Sequence, residues 1–124
     1  MGRTIFIVDD STVMRSSLKA NLEMQGFQVA MAADGEEALA QLKNGLKPDL
    51  ILTDINMPKM DGLTLIREVR KLPGFRFVPI LVLTTESQQA KREEARRLGA
   101  TGWLVKPVSG VDLVNTIRKV LPGS

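Results

Sequence analysis

The sequence contains no cysteine and no histidine. The first absence removes disulfides, thiolate metal sites and cysteine nucleophiles. The second removes the commonest general base and the commonest zinc ligand together, leaving carboxylates, lysine and threonine for any chemistry and favouring hard, oxygen-seeking metals. No apolar run approaches the roughly 18 residues of a membrane-spanning helix, so membrane insertion is not expected. The opening stretch MGRTIFIVDD has too short an apolar part for a secretory signal. Phe6 also stands where a myristoylated Met-Gly start wants serine or threonine. Charge of neither sign dominates: the net value is +3, and basic residues are interleaved with acidic ones, as in AKREEARR. That pattern reads as a solvated surface, and no nucleic-acid partner is expected.

What is present is the material for one core. With 124 residues, 44% of them hydrophobic and 25% charged, the chain has the size and composition of one soluble globular domain, taken as residues 1–124. Five short apolar runs alternate with helix-length segments: TIFIV at 4–8, FQVAMA at 27–32, LILT at 50–53, ILVLT at 80–84 and WLV at 103–105. Four are nearly continuous rather than alternating, which suits parallel strands buried on both faces.

The segments between them carry helix signals. Ser11 and Thr12 can cap a helix with Met14, Leu18 and Leu22 on its apolar face, ending before Gly26. Asp34 opens the next, with Glu37 as a capping-box partner and Gly45 past its end. Pro58 and Gly62 bracket a loop before a helix bearing Leu63, Ile66 and Val69. Ser87 is expected to begin a fourth helix ended by Gly99, which offers the sheet only Ala90, Ala95 and Leu98. That small apolar burial would hold it loosely. Ser109 begins a fifth helix with the stripe Leu113, Ile117 and Leu121, before Pro122. A β-α unit repeated five times, with right-handed crossovers, gives an open parallel sheet covered by helices on both faces, a three-layer doubly wound α/β domain.

In such sheets the functional crevice lies outside the carboxyl ends of the strands. The candidate reactive residues all fall there: Asp9 and Asp10 after the first strand, Asp54 and Asn56 after the third, Thr84 and Thr85 at the end of the fourth, and Lys106 after the fifth. Each has a bland reading on its own. The acidic pair serves equally to cap a helix, Asp54 to form a turn, Thr84 to fill a strand, and Lys106 to sit solvated before Pro107. Three converging carboxylates are harder to explain that way, because their repulsion costs stability unless a cation offsets it. A Mg²⁺ ion that keeps several waters is a natural solution.

The stretches FIVDDS at 6–11, LILTDINMPKMDG at 50–62, ILVLTT at 80–85 and GATGWLVKP at 99–107 resemble the receiver domains of two-component response regulators, especially the stand-alone chemotaxis (CheY-like) type. The resemblance covers residues 4–121. It implies a flavodoxin-like sheet of strand order 2-1-3-4-5 and a phosphoryl group accepted on Asp54 from a sensor histidine kinase. It implies Mg²⁺ held by Asp9, Asp10, Asp54 and the backbone carbonyl of Asn56. Lys106 would pair with the phosphoryl oxygens, Thr84 would hydrogen-bond one of them, and the Lys106–Pro107 bond would be cis. Trp103 takes the place of the Tyr or Phe that turns inward on activation, and Thr85 stands where a smaller residue is frequent. A cytoplasmic monomer is implied, acting on a downstream partner through the fourth helix, fifth strand and fifth helix.

Two other functions fit parts of the pattern. A Mg²⁺-dependent phosphohydrolase working through an aspartyl-phosphate would need a proton-exchanging carboxylate two residues after the nucleophile, where this chain has Asn56. A nucleic-acid-binding domain would rest on Lys91, Arg92, Arg96 and Arg97, a patch diluted by Glu93 and Glu94.

Overall fold

The computed structural model describes residues 2–123. Met1 and Ser124, the two ends of the expected domain, lie outside the described residues. The chain alternates β1 (Thr4–Val8), α1 (Thr12–Met24), β2 (Gln28–Ala32), α2 (Gly35–Lys43), β3 (Leu50–Thr53), α3 (Gly62–Lys71), β4 (Ile80–Thr84), α4 (Gln89–Leu98), β5 (Gly102–Val105) and α5 (Gly110–Val120). All pairings are parallel and the strand order is β2-β1-β3-β4-β5, the flavodoxin-like arrangement.

The continuous apolar character of the central strands follows from burial on both faces. Phe6, Val8, Ile51, Ile80 and Val82 point to one side, where α2, α3 and α4 contribute Leu39, Leu42, Leu65, Ile66, Val69 and Ala95. Their strand neighbours Ile5, Ile7, Leu50, Leu52, Leu81 and Leu83 meet Leu18, Leu22, Leu113, Val114 and Ile117 of α1 and α5 on the other. The edge strands β2 and β5 are only partly covered.

Capping explains most helix starts. The side chains of Ser11, Asp34, Asp61 and Ser109 accept from the backbone N–H of Met14, Glu37, Thr64 and Asp112. The box at α2 differs from the expected one, since Glu37 Oε2 accepts from the N–H of Ala33, at 3.4 Å, and not from that of Asp34. The α4 start also differs. The helix begins at Gln89, its N-cap Gln88 supplies no side-chain bond, and Ser87 plays no capping part. Ala90 is exposed, so Ala95 is the buried residue of α4 and Leu98 is half-buried against the core.

The far end of α4 is firmly held. Arg70 of α3 donates twice to the Gly99 carbonyl (2.6 and 3.2 Å) and once each to those of Phe75 (2.8 Å) and Val78 (2.6 Å). Gly99 itself sits at φ 118°, the left-handed turn that lets the helix end where it does.

Candidate functional site

The parallel sheet delivers Asp9, Asp54, Thr84 and Lys106 to its carboxyl edge, at or just after the last residues of four neighbouring strands. Asp9 is buried, Asp54 half-buried and Asp10 exposed, and one carboxylate oxygen of each lies within 4.8 Å of the others. The backbone shapes this cluster. The N–H of Ser11 donates to Asp9 Oδ1 at 2.9 Å, and those of Ile55 and Asn56 donate to Asp54 Oδ1 at 2.6 and 3.3 Å. Arg15 steadies the turn by donating to the Asp9 carbonyl.

The counterion to this cluster is built in. Lys106 Nζ lies 2.8 Å from Asp9 Oδ2 and 3.0 Å from Asp54 Oδ2. The repulsion expected to require a metal is thus partly offset by a lysine, whose two pairs do not include Asp10. Burial pulls the Lys106 ammonium towards neutrality, but hydrogen bonds and Coulomb attraction from Asp9 and Asp54 win, and its pKa rises above 10.5. The sign follows: its contribution to stability is complete below the unfolded value and is lost only as pH climbs through the higher folded one. The bond between Lys106 and Pro107 is cis, as expected.

Thr84 is fully buried at the end of β4, and its Oγ1 accepts from the N–H of Glu86 at 3.2 Å. Val82, opposite Trp103 in the register, points to the same side of the sheet as Thr84 two residues on, so the ring lies diagonal to the threonine. Trp103 is half-buried, packs against the core on the α4 side and forms part of the wall of a hollow of about 230 Å³ between α4 and β5. Its indole N–H is buried with no acceptor among the described residues. The structure therefore brings Asp9, Asp10, Asp54 and Lys106 together, sets Asn56 beside Asp54, and leaves Trp103 outside the crevice. Sequence reasoning missed the contributions of Ser11, Arg15, Ile55 and Glu86, which act mainly through backbone groups or reach a backbone carbonyl, where no residue pattern signals them.

Three acidic oxygens at the mouth of a crevice form a hard donor set that suits Mg²⁺. The profile of the response regulator receiver domain matches residues 5–118. The chain belongs to this family. It is 38% identical over 122 residues to the chemotaxis protein CheY of Thermotoga maritima, covering 97% of this chain and 98% of that protein. The solved structure of Vibrio cholerae chemotaxis protein CheY4 superposes with a TM-score of 0.91 at 40% identity, covering 97% of this chain and 99% of that one. The receiver domain of the sensor histidine kinase PA1611 from Pseudomonas aeruginosa PAO1 has a TM-score of 0.90 at 31% identity over the full length of both, and holds a magnesium ion in its active-site cleft. Several other curated relatives are larger, and the chain spans from 14% to 48% of their length. No described helix is long and apolar enough to cross a membrane.

Proposed function

We propose that residues 1–124 form one receiver domain that takes a phosphoryl group on Asp54, and that the domain catalyses only its own phosphorylation and dephosphorylation. The observation that supports this most is the meeting of Asp9, Asp10 and Asp54 with Lys106 at one strand edge. Phosphoryl transfer needs an in-line nucleophile and positive charge around the equatorial oxygens more than it needs an acid or base. Asp54 supplies the nucleophile: a carboxylate oxygen forms the new O–P bond as the N–P bond to the imidazole of a kinase phosphohistidine breaks, and the imidazole leaves with the bonding pair. Asn56, whose amide cannot exchange a proton near neutral pH, leaves the site without the second carboxylate that a phosphohydrolase uses.

Asp9, Asp10, Asp54 and the backbone carbonyl of Asn56 would hold Mg²⁺, which supplies positive charge to the transferring group. Lys106, already on Asp54 Oδ2, supplies a second positive charge. The Thr84 hydroxyl, now accepting from Glu86, is the group that turns to a phosphoryl oxygen. Trp103 and α4 then carry the change to a downstream protein that docks on α4, β5 and α5. The donor is a sensor histidine kinase, and the domain works as a cytoplasmic monomer.

The test is intact-mass spectrometry after incubation with a small acyl phosphate and Mg²⁺. Wild type gains one phosphoryl group, while EDTA or Asp54→Asn abolishes the gain. Modification of Asp54→Asn at the wild-type rate would refute the site.

A further inference from the structure

The crevice occupies one edge of the sheet; the amino-terminal edge, a strand length of roughly 17 Å away, carries a second built surface. Phe77, in the loop between α3 and β4, is 87% exposed. A lone exposed ring needs no explanation. This one stands on the rim of a shallow hollow of about 650 Å³ whose apolar lining includes Pro48, Phe77, Val78 and Val120. Arg3 and Arg76 also line it. The Arg76 guanidinium lies over the Phe77 ring, 5.6 Å from its centre, and among the described residues no carboxylate pairs with it. Among the described residues the only acid of the hollow, Asp49, is already engaged, accepting from the Thr4 N–H at 2.7 Å and facing Arg3 at 3.9 Å.

Further cations sit at this edge because helices running antiparallel to the strands end there: Lys71 in the last turn of α3, and Arg118 and Lys119 in that of α5. Helix dipoles account for those three. They do not account for Arg76, which lies outside any helix, whereas Arg3 is engaged by Asp49 and by the Pro122 carbonyl, to which it donates at 3.2 Å.

We propose that this amino-edge hollow is a docking site for an acidic peptide segment of a partner protein, with one large apolar side chain seated against Phe77 and Val120 and a flanking carboxylate paired with Arg76. Charge complementarity selects an acidic partner, since Arg3 offsets Asp49 within the chain and leaves the Arg76 charge without a carboxylate among the described residues. Its concave floor selects a side chain over a flat bilayer, which cannot enter it. A site at this edge tethers the domain without covering Asp54, so its occupancy is independent of phosphorylation. The proposal goes beyond the phosphoryl switch and does not rest on it.

The experiment is a titration of isotope-labelled protein with the synthetic peptide acetyl-EDLFEE-amide, followed by backbone amide shifts. Shifts concentrate at residues 48–49, 74–79 and 120–121, and binding weakens about tenfold in Arg76→Glu and in Phe77→Ser. Both substitutions are at exposed positions and leave the fold intact. Asp54→Asn binds as wild type does. The proposal fails if no shifts appear up to millimolar peptide, if they centre elsewhere, or if acetyl-KKLFKK-amide binds equally well. Co-sedimentation with phosphatidylglycerol vesicles that Phe77→Ser abolishes, without peptide binding, would assign the surface to a membrane and overturn it as well.

Discussion

The loops that follow β3 and β4 start from two residues of the proposed chemistry, Asp54 and Thr84, yet they are held very differently. After Asp54, Ile55 is buried, the N–H of Gly62 donates to its carbonyl at 2.8 Å, and Met60 is tied to Pro58 and accepts from Gly35 of α2. Asp61 then caps α3, which buries Leu65, Ile66 and Val69. After Thr84, the loop has, among the described residues, one hydrogen bond to a side chain, from the Glu86 N–H to the Thr84 hydroxyl, and one ion pair, Lys91 with Glu86 at 3.6 Å. Gln88 leaves α4 uncapped by a side chain, and α4 buries Ala95. The difference fits a division of labour. A nucleophile must stay aligned, whereas a readout must move, and moving elements come from the low-stability end of a fold. Arg70 confines the freedom, because its bonds to Gly99 fix the far end of α4 and leave the end nearest Thr84 to shift.

The comparison breaks most visibly in the helices behind the loops. Ile66→Ala empties a fully buried site on α3 and is expected to cost about 2 to 5 kcal/mol in urea unfolding. Ala95→Gly on α4 removes one methyl and some helix propensity, about 1 to 2 kcal/mol together. Equal losses would mean that α4 is held as tightly as α3.

The next effect concerns Gly62. A Cβ there would lie 2.1 Å from the Asp54 carbonyl oxygen and 2.8 Å from the Ile55 Cα, both backbone atoms that cannot swing away. Gly62→Ala should cost about 1 to 3 kcal/mol and slow phosphoacceptance in the mass assay, because the displaced atoms belong to the nucleophile's own residue and the next. A stable variant that phosphorylates normally would show the Asp54 loop to be less constrained than its hydrogen bonds imply.

These constraints were unevenly legible in the sequence. Strands buried on both faces must be apolar throughout, so the five runs announced the sheet, and polar residues directly after such runs announced the crevice. The helices capped by Ser11, Asp34 and Ser109 were readable from those residues, whereas α3 was marked by Pro58 and Gly62 and not by its cap, Asp61. The α4 start was not, because no capping side chain marks it and Ser87 suggested one falsely. Ala90 shows the limit of periodicity in a helix with so little apolar surface: spacing placed it against the sheet, but packing left it exposed. Arg70 was invisible because its acceptors are backbone carbonyls up to 29 residues away, which carry no residue-type signal. For Lys106 the family resemblance implies a phosphoryl partner, while its partners in the structure, Asp9 and Asp54, emerge only once the strands are side by side.

A smaller effect sharpens the comparison in the opposite direction. Gln88→Ser supplies the missing cap and should raise stability by about 1 kcal/mol. If a loose α4 start serves switching, the same variant should show a smaller change of Trp103 fluorescence when beryllofluoride and Mg²⁺ mimic the phosphoryl group. A stabilised variant with an undiminished response would separate looseness from function.

The smallest effect lies in the two ion pairs of the loops. Lys91 and Glu86 are partly exposed, so their pair is worth under about 1 kcal/mol and is screened by salt. Lys91→Gln should therefore lower stability slightly in dilute buffer and by nothing measurable in concentrated salt. Its effect on switching should be clearer. Glu86 is also the residue whose N–H occupies the Thr84 hydroxyl, so freeing its side chain lets the loop leave with less cost, and half-maximal fluorescence change should need less beryllofluoride. The matching pair in the other loop, Lys59 with Asp34 at 3.9 Å, offers the control. There the backbone bonds of Met60 and Gly62 hold the loop whether or not the pair is present, so Lys59→Gln should leave the titration unchanged. A shift of equal size in both variants would show that general surface charge, and not the Glu86 contact, sets the response.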